Sequence, residues 1–150
     1  MSINKPAPTL SATQPPAKAS RLLFVNLAVR DLPKAKAFFT QLGFTYNPKY
    51  TDENAACMIF SDNACVMLLT QPFFQGFTKR ELCDTTRASE GLFAFSCGSR
   101  AEVDELVNKA LAAGGKPAMD QKDYGFMYNW SFLDLDGHHW EVMWMDPQAA

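Results

Sequence analysis

The chain has 150 residues, a length suited to one domain, and 47% of them are hydrophobic, 12 Phe and 3 Trp among them, enough to fill a real core. Its net charge is −2, from 14 basic and 16 acidic residues with no block of either sign, which excludes the electrostatic footprint of a nucleic-acid or membrane-surface protein. No apolar run nears the roughly 18 residues of a membrane span.

Residues 1–20, MSINKPAPTLSATQPPAKAS, are rich in Pro, Ala and Ser and are expected to form a flexible tail, with pairing to another subunit as the alternative. They contain no apolar core of the kind a secretory signal needs, so a cytoplasmic location is expected. A single domain then spans 21–150. Cys57, Cys65, Cys83 and Cys97 show no C-x-x-C spacing. They are expected to be reduced and mostly buried, and their spacings do not fit a zinc cluster.

Arg21–Val29 alternates with period two: Val25, Leu27 and Val29 face one way, Phe24, Asn26 and Ala28 the other. Asp31 is the expected N-cap of a helix that runs to Leu42 and presents Leu32, Ala35, Phe38, Phe39 and Leu42 on one stripe. Gly43 stops it. Strands are predicted at Phe44–Tyr50, Ala55–Phe60 and Ala64–Thr70, the last two joined by a turn at Asp62-Asn63. Gln71–Gly91 breaks the pattern with Phe73, Phe74 and Phe77. A connection of that length is expected to be a lid, a subunit contact or a linker. Then the order returns: a strand at Leu92–Cys97, and a helix behind the capping box Ser99-x-x-Glu102 with Val103, Leu106, Val107, Ala110 and Leu111 on one stripe. Gly114-Gly115 ends that helix. A weak strand at Lys116–Met119, a loop at Asp120–Gly125, and strands at Phe126–Asp134 and His138–Met145 follow. The repeat βαβββ, βαβββ makes the fold class α+β, with module 1 at about 21–70, a linker at 71–91 and module 2 at about 92–147.

The closing stretch Ser131–Pro147, SFLDLDGHHWEVMWMDP, carries the densest chemistry. Asp136-Gly137 favours a two-residue type I′ hairpin turn. On the second strand His139, Glu141 and Met143 share one face, and Trp140, Val142 and Trp144 the other. The tryptophan face needs a covering layer. The Glu141 face sets an imidazole beside a carboxylate. Adjacent strand residues point oppositely, so His138 and His139 cannot both bind one ion without a bulge. His138 is read as a turn residue and His139 as a polar lining group. Glu141 is either paired with a nearby donor or stands unpaired, as a candidate general base or as an anchor for a cationic ligand. Tyr124, Tyr128 and Trp130 either line a pocket mouth or pack in the core.

FVNLAVRDLPKAKAFFTQLGF and FLDLDGHHWEV, in this order with the repeat between them, resemble the opening and closing motifs of the vicinal oxygen chelate superfamily, which includes glyoxalase I, bleomycin-resistance proteins and extradiol dioxygenases. The resemblance covers about Arg21–Pro147. It implies two modules in pseudo-twofold arrangement forming a cup-shaped sheet, with helices outside, ligand inside and the Glu141 face lining the cup. It also implies that a metal-binding member would carry ligands at Phe24, Met67, Leu92 and Glu141. Only Glu141 is a ligand of the family type; Phe and Leu have no donor atom, and a Met thioether suits none of Mg²⁺, Mn²⁺, Fe²⁺ or Zn²⁺.

The expected function is therefore that of a metal-free superfamily protein, without cofactor, binding a small organic ligand in an aromatic-lined cup. Phe24, Asn26, Met67, Leu92, Tyr124, Tyr128, Trp130, His139 and Glu141 are the candidate contacts. A homodimer is expected from the resemblance and from the Phe73/Phe74/Phe77 segment. Two other readings stand beside it: an enzyme using Glu141 and His139 as acid and base or holding a metal in an atypical site, and an interaction module whose cup is filled by its own side chains.

Overall fold

The computed structural model describes residues 21–149; the expected tail at 1–20 lies outside them. Among the described residues no helix is long and apolar enough to cross a membrane. The fold is mixed α+β with two curled sheets. The first joins β1 (Leu23–Val29), β2 (Ala55–Ser61) and β3 (Ala64–Thr70) in the order β1-β3-β2, with β1 parallel to β3. The second joins β4 (Leu92–Ser96), β5 (Lys116–Pro117), β7 (Met127–Leu133) and β8 (His139–Met145) in the order β4-β8-β7-β5, and the two-residue β6 (Lys122–Asp123) pairs with β7. Two parallel pairs, β1 with β3 and β4 with β8, take equivalent places in the two sheets.

The helices form where capping and stripe predicted. In α1 (Leu32–Gln41) the Asp31 side chain accepts from Lys34 N at 3.0 Å, with Pro33 in the first turn. In α3 (Arg100–Ala112) the Ser99 hydroxyl accepts from Glu102 N at 3.1 Å. The return bond of that box lands one residue early: Glu102 Oε2 accepts from Gly98 N at 2.6 Å. A short helix α2 (Gln71–Gln75) opens the linker and packs on β1 and β3.

The expected strand Phe44–Tyr50 does not form. It is reduced to one bridge, Tyr46 with Met58, and a 3-10 turn at Pro48–Tyr50. Pro48 has no N–H for a ladder, and Asn47 caps the turn by accepting from Lys49 N at 3.0 Å. The expected Lys116–Met119 strand shortens to β5, and the loop after it gains β6.

One core serves both modules. Leu27, Val29, Phe38, Phe39, Met58 and Leu68 pack in the same cluster as Val103, Val107, Phe132, Trp140 and Val142. Trp140 is its hinge: Phe39 meets it edge-on at 5.4 Å, and Phe60 stacks on it at 5.9 Å. Phe60 reaches that position because the β2–β3 register shifts between Ile59 and Ser61, a bulge that re-aims one side chain. Each sheet thus turns its helix-covered face inward and leaves its other face open.

The closing hairpin is not a type I′ turn. Among the described residues positive φ occurs only at glycines, so Asp136 is excluded from it, while Gly137 has φ of 89°. Gly137 N donates to Asp134 O at 3.0 Å and Asp134 N to His138 O at 3.0 Å, which is a type I turn closed by a glycine bulge. The Asp134 carboxylate dictates this. Oδ1 accepts from Asp136 N and His138 N, at 2.9 and 3.0 Å, and Oδ2 from Trp140 Nε1 at 2.9 Å. Burial pushes the Asp134 carboxyl above its ordinary range, against the pull of the His138 ring and of these donors.

Two outcomes follow for chemical denaturation. Gly137→Ala should lose at least about 2 kcal/mol, because the residue is left-handed and a Cβ there would fall on the Thr85 carbonyl oxygen. Asp134→Asn should lose about 1–3 kcal/mol, because its amide group would turn donors toward the indole N–H. An unchanged midpoint in either variant would contradict the turn described.

Candidate functional site

On the open face of the second sheet, the β4–β8 register sets Leu92 beside His139 and Ala94 beside Glu141, and the β7–β8 register sets Ser131 opposite Glu141. Leu92 is 61% exposed, while Glu141 and His139 are half-buried. Glu141 forms none of the ion pairs found among the described residues. Ser131 is buried and fixes the neighbouring loop, accepting from Met119 N at 2.9 Å.

On the open face of the first sheet, Phe24 pairs with Cys65 and Asn26 with Met67, while Cys57 lies opposite Met67 and Ile59 opposite Cys65. Phe24 is 45% exposed. A cavity of about 260 Å³ opens here, between Leu22, Phe24, Tyr50, Cys57, Ile59 and Cys65. At the other end of the face Phe74 and Phe77 of the linker close over Asn26 and Leu69, leaving about 340 Å³.

The predicted contacts therefore divide. Phe24, Asn26 and Met67 share one open face, and Leu92, His139 and Glu141 share the other. Phe24, Asn26 and Met67 line none of the cavities that Leu92 lines. Two residues sit elsewhere for a simple reason of parity. Tyr128 and Trp130 are paired with Trp144 and Val142, so they point to the helix side, away from Glu141. Tyr128 donates its hydroxyl to Asp104 of α3, and Trp130 packs against the core. Tyr124 is exposed in the loop before β7, with its ring 6.4 Å from that of Phe126.

Sequence reasoning missed what His138 does. It does close the turn, but at 2% exposure it is also among the most buried side chains. Its Nε2 meets the Ala28 carbonyl at 2.8 Å, and Glu90 Oε1 lies 2.7 Å from Nδ1. The carboxylate is off the line a ring N–H would take, so the Glu90 contact is no aligned hydrogen bond. The Cys57/Cys65 neighbourhood was missed as well, since it depends on a bulge that no local signal marks. The cysteines are free, as expected, but only Cys57 is fully buried, and Cys83 is exposed.

The donor sets do not fit the metal that the fold's metal enzymes use. Phe24 and Leu92 offer no donor atom, Met67 a thioether and Glu141 a single carboxylate. Asp134, Asp136 and His138 do bring ligand atoms within 4.8 Å of one another. Several of these atoms are already engaged: Asp134 by three N–H donors, Asp136 Oδ1 by Arg30 N at 2.8 Å, and His138 Nε2 by the Ala28 carbonyl, while His138 Nδ1 has no hydrogen-bond partner. That cluster is a structural knot.

Residues 21–142 match the family model of the Glyoxalase/Bleomycin resistance protein/Dioxygenase superfamily. The chain belongs to this superfamily. As a superfamily fold it is similar to a hypothetical protein from S. aureus, at 29% identity and a TM-score of 0.70, over 85% of this chain and 94% of that one. A glyoxalase/bleomycin resistance protein/dioxygenase family enzyme from Burkholderia phytofirmans PsJN shares the fold at 19% identity and a TM-score of 0.67, over 81% and 96% of the two chains. Lactoylglutathione lyase from Agrobacterium tumefaciens does so at 20% identity and a TM-score of 0.61, over 85% and 95%. No curated protein matches the chain.

Because Glu141 is half-buried and outside every ion pair seen, Glu141→Gln should shift unfolding free energy by no more than about 0.5 kcal/mol. Urea denaturation of the two proteins checks this. A drop of about 3 kcal/mol, as for a broken buried pair, would give Glu141 a structural role and remove it from the candidate site.

Proposed function

We propose that this superfamily member binds a small organic molecule without a divalent metal, in a cup that a second copy of the chain completes. One observation carries the reading: three of the four positions where the superfamily's metal enzymes place ligands are Phe24, Met67 and Leu92, and all four lie on open faces. A pocket built from such residues favours an apolar ligand body. Glu141 supplies the one charge at these positions, suited to a cation or a hydrogen-bond donor on that ligand.

The second copy is supported by what the open faces expose. Leu22, Phe24, Ile59 and Leu92 are all exposed large apolar side chains, a cost in water that a partner would remove. Facing the Phe24/Met67 surface of one chain with the Leu92/Glu141 surface of another would bring the four positions into one enclosure, twice per twofold dimer. Phe73 and Phe77, exposed and edge-to-face at 5.1 Å, extend the apolar rim.

Elemental analysis of dialysed protein should find no stoichiometric Mn, Fe, Ni or Zn, and a thermal-shift screen should find stabilising ligands among apolar molecules bearing an amine or other donor. One retained equivalent of metal overturns the metal-free reading. Light scattering at tens of micromolar should give the dimer mass, and Leu92→Arg should give the monomer with its fold intact by circular dichroism. A monomer mass for the wild type would remove the completed cup.

A further inference from the structure

His138 is held through Nε2, which lies 2.8 Å from the Ala28 carbonyl oxygen. A carbonyl only accepts, so Nε2 carries the hydrogen, and the neutral ring presents Nδ1 as a bare lone pair. That atom is buried and has no hydrogen-bond partner, although Glu90 Oε1 stands 2.7 Å away. Two acceptors that close repel each other in a low dielectric unless positive charge joins them. Both residues line a cavity of about 280 Å³ where β1, the linker and the closing hairpin meet, with Gln71, Asp84, Thr85 and Asp136 among its walls. We infer that this cavity is a site for a small organic cation bearing a primary ammonium group, which His138 Nδ1 and the Glu90 carboxylate accept together. The site lies away from the open faces and does not depend on the cup.

Charge and donor count narrow the ligand. Asp84, Glu90 and Asp136 bring three carboxylates to the cavity against one guanidinium, that of Arg30. Arg30 is committed already: Nη2 donates to the Leu135 carbonyl at 3.1 Å, and Nε lies 3.4 Å from Asp136 Oδ1. The balance is negative and favours a cation. A metal ion would find too few ligands there, because the only cluster of three His, Cys, Asp or Glu ligand atoms among the described residues leaves Glu90 out. A proton on Nδ1 would point off the line to Glu90. An ammonium carries three N–H donors and serves Nδ1, Glu90 and a further acceptor at once, whereas a quaternary ammonium carries none. A cavity of this size limits the ligand to a short chain. Binding requires the neutral ring, so a proton on His138 and the cation exclude each other. The charged groups facing that ring are Glu90 from the linker and Asp134 and Asp136 from the turn, with Arg30 of the β1 end behind Asp136.

Ethylammonium is the probe, on the full chain, with tetramethylammonium and potassium at matched ionic strength as controls. NMR of ¹⁵N-histidine-labelled protein reads the ring directly, and His139→Gln tells the two histidines apart. At about pH 8.5, well above the ordinary imidazole range, His138 should show a protonated Nε2 and a bare Nδ1. Ethylammonium should shift the Nδ1 signal saturably, and neither control should do so. Lowering the pH should weaken binding by about tenfold per unit once the ring is protonated, since one proton competes with one cation. These readouts need no variant at the site. Glu90→Gln, whose parent side chain is 24% exposed, should keep its circular dichroism spectrum and lose at least about tenfold in affinity. Glu141→Gln should bind as the wild type does. A ring already protonated on Nδ1 at that pH, an equal shift from either control, affinity independent of pH, or full affinity in folded Glu90→Gln overturns the inference. So does loss of binding in Glu141→Gln, which would put the cation in the cup. A retained metal or a monomer mass would end the preceding proposal without touching these readouts, and failure here would leave that proposal standing.

Discussion

The fold turns on one buried carboxylate. Asp134 holds three N–H donors, one of them the indole of Trp140, the largest side chain in the core. Those bonds shape the turn, and the turn delivers the groups that join the modules. Asp136 accepts from Arg30 at the end of β1, and its carbonyl accepts the Thr85 hydroxyl from the linker. His138 reaches the Ala28 carbonyl across the same junction and lies against Glu90. A buried polar network of this kind is costly when half satisfied and specific when complete. Here it binds hairpin, first strand and linker at one point, which sets the relative position of the two sheets.

That position decides what is left for function. Phe39, Phe44, Phe60 and Phe95 gather around Trp140 and use the inward face of each sheet for packing. Burying side chains of this size stabilises by about 1.5–3 kcal/mol each, so the inward faces are committed. The outward faces carry Phe24, Asn26 and Met67 on one sheet and Leu92, His139 and Glu141 on the other. Phe24 on the first sheet and Leu92 on the second are both exposed, and Glu141 lies on the same face as Leu92.

A second space exists between the sheets. A cleft of about 710 Å³ runs between Val25 and Val66 on one side and Phe93 and Phe95 on the other, with Trp140 at its base. Cys65, Leu92 and Ala94 reach it from the sheet edges, and its polar lining residue Glu102 is already engaged with Gly98. The contrast with the open faces is instructive: large volume alone does not make a site, whereas few, differently placed polar groups do.

How much was legible in the sequence follows from how local each determinant is. Period-two alternation in 24–29 and 139–144, the caps at Asp31 and Ser99 and the stop at Gly43 act within a few residues, so strands, helices and the inside-outside assignment of Leu27, Val29, Trp140 and Val142 could be read directly. The same alternation already separates Tyr128 and Trp130 from Glu141 once the β7–β8 register is known, but register is a property of two strands. The turn type was misjudged because the Asp134 carboxylate, two residues before Asp136, overrides the preference of Asp-Gly. The Phe44–Tyr50 strand failed where Pro48 and the Asn47 cap outweighed a β-like composition. What only the tertiary structure decided is which residues meet. The extra residue Phe60 in β2 flips the side-chain parity of everything before it, since strand faces alternate residue by residue, and that bulge alone places Cys57 on the face of Cys65. Burial of His138 depends on Ala28, 110 residues away in the chain, and on no pattern around the histidine. Local propensity determined the elements of this protein; packing at the Trp140 junction determined which of their faces remain open.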